Sequence, residues 1–197
     1  LFTTDLRKAI EDDTTVITSL LSQFGIWDQS LDSKLDALQG LLEETHPDEK
    51  VLVFSEYADT ANYVAQALEK RGVKKIASVT GDNEDPTRLA RRFSPRSNTD
   101  LPGPVVKPED ELRILIATDV LSEGQNLQDS AIVVNFDLPW AIIRLIQRAG
   151  RVDRIGQKAT KVLVYTFLPT GGVEDVLRLR ERVAKRLAKN AAVFGAD

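Results

Sequence analysis

The stretch VLVFSEYADTANYVAQALEKRG, residues 51–72, decides the fold of this chain. Residues 51–54 form a short, wholly apolar run, which predicts a buried strand. Residues 58–70 then repeat apolar side chains at helical spacing, and Gly72 marks the end of that helix. A buried strand followed by an amphipathic helix is the repeating unit of a parallel sheet.

The same alternation continues along the chain. It predicts further strands at 76–80, 113–118, 132–136 and 162–168, and helices at 85–93, 140–149 and 173–193. Residues 94–111 contain four prolines and mixed charge, which indicates a surface loop. We therefore expect an α/β fold, with a parallel β-sheet covered by helices on both faces.

The first 30 residues carry a different pattern from the rest. Apolar side chains such as Leu6, Ile10 and Leu20 recur at helical spacing before a break at Gly25. We interpret residues 1–30 as a helical linker or as a brace packed on the sheet. Residues 31–197 are then one domain that ends in a long helix.

Composition limits the classes of function. Of the 197 residues, 42% are hydrophobic and 28% are charged, as in an ordinary globular protein. No apolar run approaches the roughly 20 residues that cross a bilayer, so we expect a cytoplasmic protein without a membrane partner. The chain lacks cysteine, which excludes thiolate metal sites, and we predict no metal ligands. A net charge of -4 disfavours wholesale wrapping of nucleic acid, so any such contact would be local.

Polar clusters follow several of the predicted strands. The residues Ser55, Glu56 and Tyr57 come after the first strand, Gly81 follows the second, and residues 118–126 follow the third. Ligands of parallel sheets bind at the carboxyl ends of the strands. Several polar clusters at one edge of the sheet therefore indicate a ligand site.

The segment QRAGRVDRIGQ, residues 147–157, carries the most specific chemical signal. Two arginines, Arg151 and Arg154, are costly to place beside a folded core unless an anionic group meets them. If the helix at 140–148 continues, both fall on one of its faces. Their guanidinium groups then present two forks to a single triphosphate.

Order and spacing of these segments resemble the second RecA-like domain of superfamily-two helicases and nucleic-acid translocases. The resemblance covers about residues 31–177: VLVFSEY at 51–57 is similar to motif IV, ATDVLSEGQNL at 117–127 to motif V, and residues 147–157 to motif VI. Trp140, the RIGQ sequence at 154–157 and GVED at 172–175 resemble the Swi/Snf-type ATPases. The LSE sequence at 121–123 resembles bacterial members of that group.

This resemblance implies a site for ATP with Mg²⁺. Arg151 and Arg154 match the arginine fingers of motif VI, and Gln147 is expected to orient this segment toward the nucleotide. Glu123 and Gly124 match the part of motif V beside the ribose and phosphates. Asp119 belongs to the same nucleotide-binding set, where it either holds motif V in shape or caps the turn that follows the third strand.

The resemblance also implies nucleic-acid contacts on the other side of the same edge. Thr118 matches the motif V threonine that binds a backbone phosphate, and Ser55, Thr80 and Gly81 are further candidates at strand ends. DNA is the expected partner, with RNA as the alternative. The Swi/Snf-like features favour tracking along duplex DNA without strand separation.

Half of a nucleotide-hydrolysing site is missing from the sequence. No GxxxxGK[ST] segment and no DExx-type strand end occur in the chain. The chain also lacks methionine and begins at Leu1, so we expect a fragment of a longer protein whose N-terminal RecA-like lobe supplies the phosphate loop. The fragment alone should then be inactive as an ATPase. Its two arginines should be exposed and unpaired, or should rest on Asp119 or Glu123.

Two other functions are compatible with the fold. One is a non-catalytic nucleic-acid or protein-binding domain, which predicts decayed motifs, whereas the motifs here are intact. The other is an enzyme that binds a dinucleotide or a phosphosugar. It is disfavoured because no glycine fingerprint follows the first strand.

Overall fold

The computed structural model describes residues 4–25, 28–83, 85–99, 104–122, 125–139, 141, 143–168, 181 and 185. The chain divides into two compact units, residues 1–33 and residues 34–197. Helix α1, Thr4–Phe24, makes up most of the described part of the first unit, and a single 3-10 turn follows at Gln29–Leu31. The predicted N-terminal helix is therefore confirmed, while its role as linker or brace stays a prediction.

The second unit is built on a parallel sheet. In the part of the chain that the structure describes, its strands are β1 (Val51–Phe54), β2 (Ile76–Val79), β3 (Ile114–Ala117), β4 (Ile132–Asn135) and β5 (Leu163–Thr166). They lie in the order β2-β3-β1-β4-β5, and each neighbouring pair is parallel. Each strand lies within its predicted range, so the predicted sheet is confirmed.

Helices cover both faces of the sheet, as predicted. Helices α2 (Ser33–Gly40) and α3 (Ala58–Lys70) pack on the face that carries Val53 and Ile116. Helix α4 (Pro86–Phe93) packs on the opposite face, against Leu52 and Leu115. Because successive strand residues point to opposite faces, each wholly apolar strand contributes to both cores.

Residues at the helix ends explain where α3 and α4 stop and start. Gly72 follows α3 with a φ of 94°, in the left-handed region that favours glycine, and its N–H donates to Glu69 O at 2.9 Å. Asp85 caps α4, since its side chain accepts a hydrogen bond from Arg88 N at 2.8 Å. Pro86 then occupies the first turn, where no backbone donor is needed.

Helix α5, Ile143–Ala149, ends before the two predicted finger arginines. The expectation that Arg151 and Arg154 share one face of a continued helix is therefore wrong. Beyond α5 the backbone tightens, because Arg151 N donates to the carbonyl three residues earlier at 3.1 Å. This bend turns Val152 into the core, where it is fully buried.

The predicted helix at 173–193 falls outside the described residues, apart from Glu181 and Lys185. Within the described ranges, no helix is both long and apolar enough to cross a membrane.

Leu115→Ala tests the central position of β3. Leu115 is fully buried beneath α4, so its truncation removes apolar contacts and leaves a cavity. We expect the free energy of unfolding, measured by urea denaturation, to fall by about 2–5 kcal/mol. Val105→Ala is the control: its side chain is 91% exposed, and its truncation should change stability by less than about 0.5 kcal/mol. Equal effects of the two substitutions would contradict the assigned core.

Candidate functional site

The carboxyl ends of the central strands lie level at one edge of the sheet. Phe54, at the end of β1, pairs with Ala117 of β3 on one side and with Asn135 of β4 on the other. The alignment continues past the strands, because Ser55 N donates to Ala117 O at 2.9 Å. The polar residues that follow the strands are therefore brought to one edge, as expected from their positions in the sequence.

An ion pair between a buried arginine and a partly exposed carboxylate joins this edge to α5. The Arg148 side chain is 2% exposed, and its Nε and Nη2 donate to the two carboxylate oxygens of Asp119 at 2.8 and 3.1 Å. Its Nη1 donates to Asn135 Oδ1 at 3.2 Å. The guanidinium carbon lies 5.2 Å from the centre of the Phe54 ring. Every nitrogen of this guanidinium is therefore bonded within the protein.

A second arginine shares the same carboxylate. Arg144 lies one helical turn before Arg148 on the same face of α5, and its Nη1 is 3.0 Å from Asp119 Oδ2. The same nitrogen is 3.6 Å from Glu56 Oε1, in the segment after β1. Because the Arg144 side chain is 49% exposed, its ion pairs are partly screened by water.

A cavity of about 310 Å³ opens at this cluster, which we call the basic cavity. It is lined by Phe54, Asp119, Arg144, Gln147, Arg148 and Arg151. Among the described residues, three of the lining side chains are arginines and one, Asp119, is a carboxylate. The Arg151 side chain makes no hydrogen bond or ion pair with the described residues. A pocket with uncompensated guanidinium charge suits an anion with several oxygens, such as a polyphosphate.

The two predicted finger arginines lie in different surroundings. Arg151 is partly buried at the basic cavity, whereas Arg154 is exposed, with its Nη1 3.5 Å from Asn126 Oδ1. The alternative in which they rest on Asp119 is wrong, because Arg144 and Arg148 already pair with that carboxylate.

The remaining residues predicted to bind nucleotide have three different outcomes. Gln147 lines the basic cavity beside Arg151, as its position on α5 allows. Glu123 and Gly124 lie outside the described residues. Asp119 is placed where it ties the turn after β3 to α5, which is compatible with the shape-holding role.

Ser55 is engaged within the protein. It is fully buried, and its hydroxyl donates to Asp137 Oδ2 at 2.5 Å. Glu56 N donates to the same oxygen at 3.2 Å, and Lys34 Nζ donates to the other carboxylate oxygen at 3.3 Å. In this arrangement Ser55 and Asp137 hold together the segments that follow β1 and β4.

The other three nucleic-acid candidates lie after β2 and β3. Thr80 is buried, and its hydroxyl lies 3.3 Å from Asn83 Oδ1, while Gly81 is exposed. Thr118 is 6% exposed, and its Oγ1 has no hydrogen-bond partner among the described residues. A buried hydroxyl without a partner costs about 1–3 kcal/mol. Thr118 is therefore the candidate whose hydrogen-bonding capacity is still open.

Sequence reasoning missed four residues of this edge: Asn135, Asp137, Arg144 and Arg148. One signal was available, because Asn135 interrupts an otherwise apolar strand and a buried amide needs a partner. A second was the spacing of four residues between Arg144 and Arg148 on one predicted helix. Neither signal identifies Asp119 as the partner.

Among the described residues, no group of three or more histidine, aspartate or glutamate side chains is placed to hold a metal ion.

The sequence profile of the helicase conserved C-terminal domain family matches residues 33–156, more than half of the chain. The chain belongs to this family. The matched range includes the sheet from β1 to β4, α5, Arg151 and Arg154, so it contains the described residues that line the basic cavity.

Relatives of this helicase C-terminal domain are longer proteins. It is 32% identical over 133 residues to a Bacillus subtilis protein named as an uncharacterized ATP-dependent helicase, YqhH, covering 67% of this chain and 21% of that protein. It is 33% identical over 135 residues to the ATP-dependent RNA helicase RhlB of Shewanella amazonensis, covering 68% of this chain and 27% of RhlB. The chain thus spans about a quarter of the length of these curated relatives.

Solved structures share the fold. The C-terminal part of the Fun30 ATPase domain superposes with a TM-score of 0.62 at 21% identity, covering 87% of this chain and 53% of that one. Saccharomyces cerevisiae Dbp5 bound to RNA and ADP BeF3 superposes with a TM-score of 0.56 at 23% identity, covering 76% of this chain and 36% of that one. At these identities the likeness concerns the fold alone.

Asp119→Ala tests the buried ion pair. The substitution leaves the Arg148 guanidinium buried without its carboxylate, so we expect unfolding free energy to fall by about 3–5 kcal/mol. Asp36→Ala is the matched control, because it removes a carboxylate that is 57% exposed from its pair with Arg71, and should cost less than about 1 kcal/mol. Urea denaturation of both variants measures the difference. A loss no larger for Asp119→Ala than for Asp36→Ala would contradict the structural role of this pair.

Proposed function

We propose that this chain is the C-terminal RecA-like lobe of a superfamily-two, ATP-driven helicase or translocase. The basic cavity at the carboxyl edge of the sheet carries the proposal, because it presents Arg151 without a counter-charge among the described residues. The sequence contains no GxxxxGK[ST] loop that could hold the phosphates from this side. A cavity that holds arginines but no phosphate loop corresponds to one wall of a shared nucleotide site.

In this proposal, the other wall belongs to an N-terminal RecA-like lobe of the same polypeptide. Two relatives are named as ATP-dependent helicases, and each is several times longer than the part this chain matches. Their additional length supports a parent protein with room for such a lobe. ATP would be held between the two lobes, and the Mg²⁺ ligands would come from the N-terminal one.

The residues of this lobe fit a polyphosphate. ATP with Mg²⁺, when bound, supplies the phosphoryl group for hydrolysis. Arg151 and Arg154 donate hydrogen bonds to the phosphoryl oxygens, on which negative charge accumulates in the transition state. Gln147 orients the segment beside them, and Glu123 and Gly124 contribute the surface that meets the ribose and phosphates.

The ion pair between Arg148 and Asp119 lines the basic cavity and supports this chemistry by holding its base in place. It fixes α5 on the sheet edge, so that Gln147 and Arg151 project from a rigid base. Charge-stabilising groups are most effective when they are held in place before the reaction, because no reorganisation is then needed. Asp119 is in this view a residue that positions α5.

Nucleic acid is proposed to bind along the same edge, at the ends of β1, β2 and β3. Thr118 is the principal contact in this proposal, with Thr80 and Gly81 beside it; its hydroxyl is buried and has no partner among the described residues, so it reaches a phosphate only if the segment after β3 opens. Ser55 joins this set only if its hydroxyl leaves Asp137. These groups contact phosphates and do not read sequence, so binding by the lobe should be weak and salt-sensitive.

DNA is the proposed partner, and the finer assignment is to the Swi/Snf-type group. The RIGQ sequence at 154–157 supports this assignment, as do Trp140 and GVED at 172–175. Trp140 and residues 172–175 lie outside the described residues. Several relatives are named as RNA helicases, so RNA is the competing partner. We propose tracking along duplex DNA without strand separation.

Arg151→Ala tests the proposed function in the intact two-lobe protein. Loss of an arginine finger is expected to lower nucleic-acid-stimulated ATP turnover by roughly 10³–10⁵-fold while ATP binding persists. Steady-state turnover and binding of a fluorescent ATP analogue measure the two effects. Arg71→Ala, which removes an arginine paired with Asp36, serves as the control and should keep turnover.

The isolated lobe gives the complementary test. It should show no ATP hydrolysis with or without nucleic acid, since it lacks the phosphate loop. Stimulated turnover by the lobe alone, or unchanged turnover in Arg151→Ala, would overturn the proposal. If the intact two-lobe protein bound no nucleotide, a non-catalytic binding domain would be favoured instead.

Thr118→Val tests the nucleic-acid edge. The substitution removes a buried hydroxyl that has no partner in the part of the chain that the structure describes, so the unfolding free energy should stay the same or rise. Loss of a hydrogen bond to a charged phosphate should nevertheless weaken nucleic-acid binding by roughly tenfold or more. Titrations with duplex DNA, single-stranded DNA and RNA at fixed salt measure this effect and identify the partner. Unchanged affinity for all three would remove Thr118 from the site.

A further inference from the structure

A buried turn at the start of the loop after α4 is bonded to the segment that follows β3. The sequence of this turn is SPRSN, residues 94–98, and we call it the 94–98 turn. Ser94 and Asn98 are both buried in it, and Ser94 N donates to Ala90 O of α4 at 2.7 Å. The turn contributes no residue to the basic cavity, so any effect on that site must pass through other residues.

Asn98 holds the backbone of Asn126 on both sides. Its Nδ2 donates to Asn126 O at 2.6 Å and to Ser94 O at 2.7 Å, and its Oδ1 accepts from Asn126 N at 3.3 Å. Asn126 returns a bond from its own Nδ2 to Ser97 O at 3.0 Å. With Nδ2 engaged in this way, the Asn126 side chain presents its Oδ1 to Arg154, 3.5 Å away.

Asp129 forms a second connection between the same two segments. Its carboxylate accepts from Arg96 N at 2.8 Å and from Ser97 Oγ at 2.5 Å. Its own N–H donates to Ser94 Oγ at 3.0 Å. Residues 126–129 are therefore fixed on the turn by side-chain bonds at both ends.

The segment fixed in this way holds the turn that follows Arg154. Gln128 Nε2 donates to Ile155 O at 2.9 Å, and Gln157 Nε2 donates to Gln128 O at 3.2 Å and to Ser130 O at 2.8 Å. Between them Gly156 has a φ of 102°, which other residues rarely adopt. The backbone that carries Arg154 is thereby tied to residues 128–130.

We propose that the 94–98 turn positions Arg154, with Asn98 as its principal positioning residue. The inference rests on the proposed role of Arg154 as an arginine finger. Arg154 is exposed, and its side chain contacts Asn126 among the described residues, so its direction depends on the backbone beneath it. The turn sets that backbone through residues 126–130 and orients the Asn126 amide toward the guanidinium.

The test uses the intact two-lobe protein with nucleic acid. Asn98→Ala removes the bonds to both backbone groups of Asn126, and we expect kcat to fall roughly 10- to 100-fold, the cost of a small misplacement of a catalytic group. The KM for ATP should stay within about twofold, since the substitution leaves ATP binding groups in place. Asn62→Ala is the matched control: Asn62 Oδ1 accepts from Ser78 Oγ at 2.7 Å between α3 and β2, and its loss should leave kcat unchanged.

A double substitution separates positioning from general destabilisation. In an Arg154→Ala background, Asn98→Ala should cause no further fall in kcat, because the group it positions is already absent. A further fall equal to that in the wild-type background would overturn the inference. Thermal unfolding checks that the variants are folded. If Asn98→Ala does not fold, Ser97→Ala, which removes only the hydroxyl bond to Asp129, should show the same non-additivity with a smaller fall.

The failure of this inference can be told apart from failure of the proposed function. If Arg154→Ala keeps full turnover, the proposed finger role fails, and the inference falls with it. If Arg154→Ala strongly lowers turnover but leaves it measurable, whereas Asn98→Ala behaves like Asn62→Ala, the proposed function stands and the positioning role of the 94–98 turn is refuted.

Discussion

The buried guanidinium of Arg148 is the constraint on which the candidate site depends. A charge removed from water must be paired and hydrogen-bonded, and here Asp119 and Asn135 supply those bonds. A buried pair of this kind adds little net stability compared with apolar packing, but breaking it is costly. The pair therefore acts mainly by fixing the position of α5 on the sheet edge. The directions of Gln147 and Arg151 depend on that position.

Around that pair, the loops at the carboxyl edge are ordered by side chains that bond to backbone. Asp137 joins the segments after β1 and β4 by hydrogen bonds. Asn98 and Asp129 join the loop after α4 to the segment after β3 in the same way. Because loops lack the repetitive bonds of helices and strands, such contacts are the means by which their backbone groups are satisfied. The result is an edge whose loops are held by hydrogen bonds within the protein, which is the preorganisation that the proposed function needs.

An uncompensated arginine at a cavity is unfavourable in an isolated domain, and the proposed function explains why it persists. Arg151 would meet its counter-charge only when nucleotide and the other lobe are present, so closure of the lobes and completion of the site are one event. In our inference, the 94–98 turn sets the backbone of Arg154 although the turn is remote from the nucleotide. Among the described residues, few other contacts hold the Arg154 side chain.

The sequence by itself determined the sheet and most of its helices. Four-residue apolar runs in the central strands, such as Val51–Phe54, are buried on both faces, and local signals such as Gly72 and Asp85 end and start the helices. It also placed Thr118 and Asp119 at the carboxyl edge, since strand ends align in a parallel sheet. Only the tertiary structure decided that Arg148 is buried, that Ser55 is bonded to Asp137, and that Arg151 and Arg154 part after α5. Each of these outcomes depends on a partner that is far away in sequence. Hydrophobic periodicity predicts which face of a helix or strand a residue occupies, but it does not predict which residue will contact it.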